Sequence, residues 1–85
     1  MNPFRFLNSP TISDQDRHNV IWRTHTGRCT PIFFMTNTHI KNCLNCLKGQ
    51  GSMEIPEIYE GLTRNEWINL FEGELSIREL EDVEN

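Results

Sequence analysis

The stretch that decides the fold is TNTHIKNCLNCLKGQG, residues 36–51. Four apolar side chains recur there at the i, i+3, i+4 and i+7 positions of one helix face: Ile40, Cys43, Leu44 and Leu47. Thr36 or Asn37 can cap the start of such a helix, and the glycines of residues 49–51 can end it. The pattern therefore predicts a helix over residues 37–48 with one buried side.

The segment before this helix predicts a β-hairpin. In VIWRTHTGRCTPIFFM, residues 20–35, β-branched and aromatic residues flank the sequence HTGR, and Gly27 supplies the positive φ that a tight turn requires. Pro31 cannot donate a backbone hydrogen bond, so it belongs where the strand pairing stops. A hairpin alone is marginal in water, so we expect the following helix to pack across it.

The C-terminal part of the chain predicts two further helices. Thr63 and Glu66 have the spacing of a capping box, in which two side chains satisfy two backbone N–H groups reciprocally. Large apolar residues follow on one helix face: Trp67, Leu70, Phe71 and Leu75. Ser76 and Glu79 repeat the capping-box spacing, which predicts a bend at residues 75–76 and a short second helix.

These elements predict the α+β class: a small β-hairpin packed against a helix, followed by two short C-terminal helices. The chain is expected to form a single small domain over residues 1–85, with an N-terminal arm (1–19), the hairpin plus helix (20–51) and an acidic helical segment (52–85). Within the arm, Ser13 is placed to cap one helical turn. The expected core comprises Trp22, Ile32, Phe34, Ile40, Leu44, Leu47, Trp67, Leu70 and Phe71.

Charge is divided unevenly along the chain, whose formal net charge is −4. Six Lys or Arg against two Asp give residues 1–51 a charge of +4, while two Arg against ten Asp or Glu give residues 52–85 a charge of −8. Proteins that bind duplex DNA strongly are usually basic overall, so the balance argues against that role. The acidic half suits contact with a basic protein surface.

The sequence predicts no membrane association. Its longest unbroken apolar run is residues 32–35, whereas a membrane-spanning helix needs about 20 apolar residues. The N-terminal residues lack the apolar stretch of a secretory signal, and the chain has three cysteines. We therefore expect a cytoplasmic protein with reduced thiols.

Four residues are of the types that bind zinc: Cys29, His39, Cys43 and Cys46. On a continuous helix, His39 and Cys46 are two turns and about 10 Å apart along the axis, so both cannot bind one ion. A zinc site here has three ligands at most. The competing interpretation, which the helical pattern favours, makes Cys43 a small apolar core residue.

The sequence offers no constellation for catalysis. No serine lies in a Gly-x-Ser-x-Gly elbow, and the glycines at 49 and 51 bracket a helix end rather than forming a phosphate-binding loop. A chain of this size also has little room for an enclosed pocket. The sequence therefore predicts a protein that is not an enzyme.

The run WRTHTGRCTPIFFMTNTHIKN, residues 22–42, resembles a segment of small, largely uncharacterised proteins of tailed bacteriophages and prophages. The positions that carry the resemblance are Trp22, Thr24, Gly27, Pro31, Ile32, Met35, Thr36, His39, Ile40 and Asn42. It covers roughly residues 20–51 and implies a phage-encoded accessory protein. It also implies that His39 is a residue of the helix start, because the pattern contains the histidine without the two cysteines.

The leading functional hypothesis is a non-enzymatic phage accessory protein that binds a host or phage protein in the host cytoplasm, modulating host machinery or antiviral defence. The residues expected to contact this partner are Trp22, Arg23, Arg28, Glu66, Trp67 and Glu74. The alternative is a small nucleic-acid-binding protein, with zinc as a stabilising ion. Its candidate phosphate contacts are Arg23, Arg28, Lys41 and Lys48. The identity of the partner and the oligomeric state stay open at this point.

Overall fold

The computed structural model describes residues 12–24, 26–51 and 53–84, so residues 1–11 of the N-terminal arm lie outside the described part. The elements, in chain order, are α1 (Asp14–Asn19), β1 (Ile21–Arg23), β2 (Cys29–Pro31), a 3-10 helix (Ile32–Phe34), α2 (Asn37–Leu47), β3 (Ile58–Tyr59), β4 (Leu62–Thr63) and α3 (Arg64–Glu84). The predicted α+β class is confirmed. Ser13 caps α1 as expected, because its side chain accepts a hydrogen bond from the backbone N–H of Asp16.

The first hairpin forms where the sequence predicts it. β1 and β2 pair antiparallel with Trp22 opposite Thr30, and Gly27 lies in the connecting turn with φ of 90°. β2 ends at Pro31, in agreement with the missing N–H of that residue. The hairpin therefore presents Trp22 and Thr30 side by side on one face.

Helix α2 has the start, end and buried face that its sequence predicts. Thr36 is the N-cap, and its side chain accepts a hydrogen bond from the backbone N–H of His39. Gly49 follows the last turn with φ of 80°, and the N–H groups of Gly49 and Gln50 donate to the carbonyls of Cys46 and Asn45. The buried residues are Ile40, Cys43, Leu44 and Leu47.

The C-terminal segment is one helix, α3, and the predicted bend at residues 75–76 is wrong. The capping box at Thr63 and Glu66 is real, since each side chain accepts from the backbone N–H of the other. At Ser76 the same spacing falls inside a continuous helix, and no proline interrupts α3. Although α3 is long, no helix among the described residues is long and apolar enough to cross a membrane.

A second hairpin, β3–β4, was not predicted by the sequence. Glu60 and Gly61 form its two-residue turn, and both have positive φ, 49° and 83°. Such a turn matches the twist of paired strands, but it usually contains Asn or Asp at the position of Glu60. The hairpin has only two residues in each strand, which is too short for an alternating pattern that would predict it from the sequence.

The core is an aromatic cluster joined to the apolar face of α2. Trp22 makes edge-on contacts with Trp67 and Phe71, with ring centroids 4.9 and 5.3 Å apart. Seven of the nine predicted core residues are buried, whereas Leu70 is partly buried and Phe34 is 67% exposed. The chain forms a 3-10 helix after Pro31 instead of continuing as a strand, so Ile32 and Phe34 do not share a face.

Candidate partner-binding groove

An open groove of about 980 Å³, here called the hairpin groove, is present on the described surface. It lies between the β1–β2 hairpin, α2 and the loop that follows α2. The hairpin contributes Trp22, Arg23, Thr24, Thr26, Arg28 and Thr30; the approach to α2 and the helix itself contribute Phe34, Met35, Thr36, His39, Asn42, Cys43, Asn45 and Cys46; the following segment contributes Gly51, Met53, Glu54, Ile55, Pro56 and Tyr59.

The floor of the groove is packed into the core. Trp22, Met35, Cys43 and Ile55 line the groove but are each less than a tenth exposed. Tyr59 joins the floor to the rest of the molecule, because its hydroxyl donates to the Arg23 carbonyl and its own carbonyl accepts from the Trp67 indole at 2.7 Å. The groove is therefore a formed feature of the fold.

Two large apolar side chains are exposed at the rim. Phe34 is 67% exposed beside the start of α2, and Met53 is 45% exposed in the segment after its end. Phe34 is held edge-on against Phe33 at 5.2 Å, and Phe33 is stacked on His18 at 4.4 Å. Apolar side chains of this size around one concavity are typical of binding surfaces.

The hairpin makes one part of the rim basic. Arg23 forms an ion pair with Glu60, Nε to Oε1 3.3 Å, whereas Arg28 is exposed and forms no ion pair with a described residue. The Arg28 backbone is fixed, because its N–H donates to the Thr24 hydroxyl at 3.1 Å. Glu54 is the one carboxylate among the described residues that line the groove, and because Glu60 neutralises Arg23, it is Arg28 that makes this part of the rim basic.

A buried ionic cluster of Glu74, Arg17 and Arg78 lies beneath the 3-10 helix and hydrogen-bonds to it. Glu74 is fully buried and accepts hydrogen bonds from Arg17, at 2.7 and 3.1 Å, and from Arg78, at 2.7 Å. Arg78 also donates to the carbonyls of Ile32 and Phe33, at 3.2 and 3.1 Å. Because these carbonyls belong to the 3-10 helix that presents Phe34, the cluster holds the backbone segment that carries the exposed ring.

The cysteines do not form a ligand set with the other predicted zinc residues. Cys43 is buried and Cys46 is partly buried on α2, while Cys29 is exposed on β2. Burial, together with the neighbouring Cys46, raises the pKa of the Cys43 thiol to about 12, so this sulfur stays protonated at neutral pH. Within the described residues, no three His, Cys, Asp or Glu side chains are arranged to hold a metal ion.

The six predicted contact residues divide into three groups. Trp22, Arg23 and Arg28 line the hairpin groove. Trp67 is 1% exposed in the aromatic cluster and Glu74 is 0% exposed, so both act in the folded core rather than at a contact surface. Glu66 is exposed but serves as the capping-box acceptor for the N–H of Thr63.

The acidic composition of residues 52–85 predicts that Glu74 lies at a contact surface, but carboxylates become buried when they are paired, and Arg17, its partner, is 57 residues away. Burial by itself raises the pKa of the Glu74 carboxyl, but the hydrogen bonds and charges of Arg17 and Arg78 outweigh it and lower the pKa. No local pattern reveals such a pairing.

Phe34 and Met53 line the groove with exposed side chains but are not among the predicted contact residues. The signal for Phe34 was available, because four consecutive apolar residues, 32–35, cannot all face one core. Met53 follows a glycine-rich stretch and has no periodic pattern around it. Its exposure depends on the path of the loop after α2.

The candidate phosphate contacts are not gathered on one surface. Lys48 is paired with Glu72, Nζ to Oε2 2.9 Å, and Arg23 with Glu60. Of the four, Arg23 and Arg28 line the groove, whereas Lys41 and Lys48 do not. Nucleic-acid binding needs several cations directed at phosphates, and two of these four already neutralise carboxylates.

Comparison with known proteins gives this chain no match. No family model, no curated protein and no solved structure resembles it significantly. The role of the hairpin groove is therefore inferred from the shape and the chemistry of the groove itself.

Proposed function

We propose that the protein is a non-enzymatic phage accessory protein that binds a host or phage protein through the hairpin groove. Such binding would modulate host machinery or antiviral defence in the host cytoplasm; the phage origin is what the sequence resemblance implies. The observation that carries the proposal is an open groove whose rim exposes Phe34, Met53 and Arg28 above a packed floor.

The residue types at the rim favour a protein partner. Aromatic residues, methionine and arginine are enriched at protein interfaces, and a few such anchors commonly carry most of the binding energy. The rim of the hairpin groove combines all three types in Phe34, Met53 and Arg28. Exposing Phe34 to water is unfavourable for an isolated domain, so a partner that covers the ring would gain free energy.

The chemistry of the groove supports a binding role better than a catalytic one. Cys43, the thiol in its floor, has a pKa near 12 and is a weak nucleophile at neutral pH. The hydroxyls of Thr24 and Thr26 are hydrogen-bonded to each other at 2.9 Å, and the Thr36 hydroxyl caps α2. None of these hydroxyls is paired with a general base within the described residues.

The test is affinity capture from bacterial lysate with three baits: the unaltered protein, Phe34→Ala and Leu80→Ala. Leu80 is the matched control, because it is 64% exposed, close to the 67% of Phe34, and does not line the groove. We expect the same protein to be recovered by the unaltered bait and by Leu80→Ala, and to be lost with Phe34→Ala.

Equal recovery of that protein by Phe34→Ala and Leu80→Ala would overturn the proposal, as would the absence of any specifically bound protein. Recovery of nucleic acid instead, with binding that weakens steeply as salt increases, would favour the alternative function. Circular dichroism of the three baits verifies that both variants remain folded.

A further inference from the structure

We infer that the hairpin groove recognises an extended segment of the partner that carries an acidic side chain and, about three to five residues away, a large apolar side chain. This inference rests on the proposed function and names the ligand class of the same site. Three features of the groove carry it: the unpaired cation on the hairpin, the exposed ring beside α2, and the polar side chains between them.

Arg28 sets the preference for an acidic group. It is exposed, its backbone is fixed by Thr24, and it forms no ion pair with a described carboxylate. Arg23 is already paired with Glu60. Glu54 is the acidic residue among the described residues that line the groove. Arg28 is therefore the cation available to a ligand, and a guanidinium binds a carboxylate through two parallel hydrogen bonds.

Phe34 sets the preference for an apolar group. Its ring is 67% exposed, yet it is supported by Phe33, whose carbonyl accepts from Arg78. A ring that already packs against a neighbour loses less conformational entropy on binding than a free one. Less of the free energy gained by covering it is then offset by that entropy loss. The structure thus offers an apolar anchor and a charged one in the same groove.

The spacing of the two anchors follows from the hairpin. From Arg28 the chain runs through three residues of extended backbone to Pro31, about 10 Å, and then enters the 3-10 helix that presents Phe34. An extended ligand advances about 3.3 Å per residue, so its acidic and apolar side chains should lie about three to five residues apart.

The side chains between the anchors favour an extended ligand over a helical one. Hydroxyl and amide groups line the groove at Thr26, Thr30, Asn42 and Asn45. An extended segment has backbone N–H and C=O groups that need partners, and these side chains can supply them. In the interior of a helix the backbone groups are already paired, so a helix could engage these polar side chains only through its own side chains.

The experiment is a selection from a displayed library of random peptides, using the unaltered protein, Arg28→Glu and Lys41→Glu as baits. Lys41→Glu is the matched control, because Lys41 is an exposed cation of α2 that does not line the groove. Thermal melts establish that all three baits are folded.

We expect the unaltered protein and Lys41→Glu to enrich peptides with an acidic residue three to five positions from a large apolar residue, by about tenfold over peptides with a basic residue there, which corresponds to about 1.4 kcal/mol. Arg28→Glu should reverse the charge preference. The inference is overturned if nothing is enriched, if acidic and basic peptides are enriched equally, or if Arg28→Glu selects the same peptides as the unaltered protein.

The failure of this inference is distinguishable from the failure of the proposed function. If Phe34→Ala loses the captured protein but the library shows no acidic preference, the groove binds a partner of different chemistry and only the inference falls. If acidic peptides are selected through Arg28 but Phe34→Ala still captures the same protein, the lysate partner binds elsewhere and the proposed function falls.

Discussion

Replacing Glu74 with alanine should lower the free energy of unfolding by about 3–5 kcal/mol, the usual cost of removing one partner of a buried ion pair. Glu74 is fully buried and accepts three hydrogen bonds from Arg17 and Arg78. Its removal takes away the buried carboxylate that neutralises the Arg17 side chain, which is only 9% exposed. For a chain of 85 residues with a typical stability of about 4–13 kcal/mol, this is a large fraction of the total.

The assay is urea denaturation followed by tryptophan fluorescence, because Trp22 and Trp67 are 5% and 1% exposed and report on the core. Glu74→Gln keeps the shape and one acceptor, so it should cost less, about 1–3 kcal/mol. Glu79→Ala is the control, since Glu79 is exposed on the same helix and should change stability by less than about 0.5 kcal/mol.

The same residue gives a pH dependence with a defined sign. Because the pKa of Glu74 is lowered in the folded state, the folded protein binds fewer protons than the unfolded chain between the two pKa values. The ionised Glu74 carboxylate therefore contributes fully to the free energy of unfolding above the ordinary glutamate pKa, near 4.5. This contribution is lost as the pH falls through the lowered pKa of the folded state. Glu74→Gln should flatten this part of the acid transition. If Glu74→Ala is no less stable than Glu79→Ala, the buried carboxylate does not stabilise the fold.

Three further predictions concern the fold around the groove. Gly51→Ala should cost about 1–3 kcal/mol in urea denaturation, because a Cβ there would lie 2.4 Å from Cys46 Sγ and 3.0 Å from Cys46 Cα; an unchanged midpoint would contradict this packing. Thr36→Ala should lower stability by about 1 kcal/mol through loss of the α2 cap, measured by thermal melting, and an unaltered melting temperature would argue against the cap. Iodoacetamide at neutral pH should modify the exposed Cys29 long before Cys43, whose pKa is raised to about 12; mass spectrometry showing equal rates would contradict the burial of Cys43.

The sequence predicted those features that are determined within a few neighbouring residues. The α2 cap at Thr36, its end at Gly49 and the capping box of Thr63 with Glu66 each depend on contacts three or four positions apart. The turn at Gly27 likewise needs only one residue that adopts positive φ. Sequence patterns were sufficient to predict these features because the donor and the acceptor of each hydrogen bond are near neighbours in the chain.

The features that the sequence did not predict depend on contacts between distant segments. The spacing of Ser76 and Glu79 suggested a new helix start, but α3 continues through it, and the Glu74–Arg78 ion pair spans the expected bend. The position of Glu74 depends on Arg17, 57 residues earlier in the chain. An ion pair between residues so far apart produces no periodic pattern in the sequence.

The groove was predicted only in part for the same reason. Trp22, Arg23 and Arg28 were identified because they lie together on one hairpin. The exposure of Phe34 depends on the switch from strand to 3-10 helix after Pro31, which reverses the expected inward direction of that ring. Phe34 is therefore exposed, although it is among the predicted core residues.

An NMR titration of the isotopically labelled protein with a selected peptide or the captured partner would locate the contact surface residue by residue. If the hairpin groove contacts a protein segment, the largest changes in amide chemical shift occur at Arg28, Thr30, Phe34 and Met53. Changes confined to the exposed side of α3, at residues such as Asn69 and Glu79, with the groove unperturbed at saturation, would contradict it.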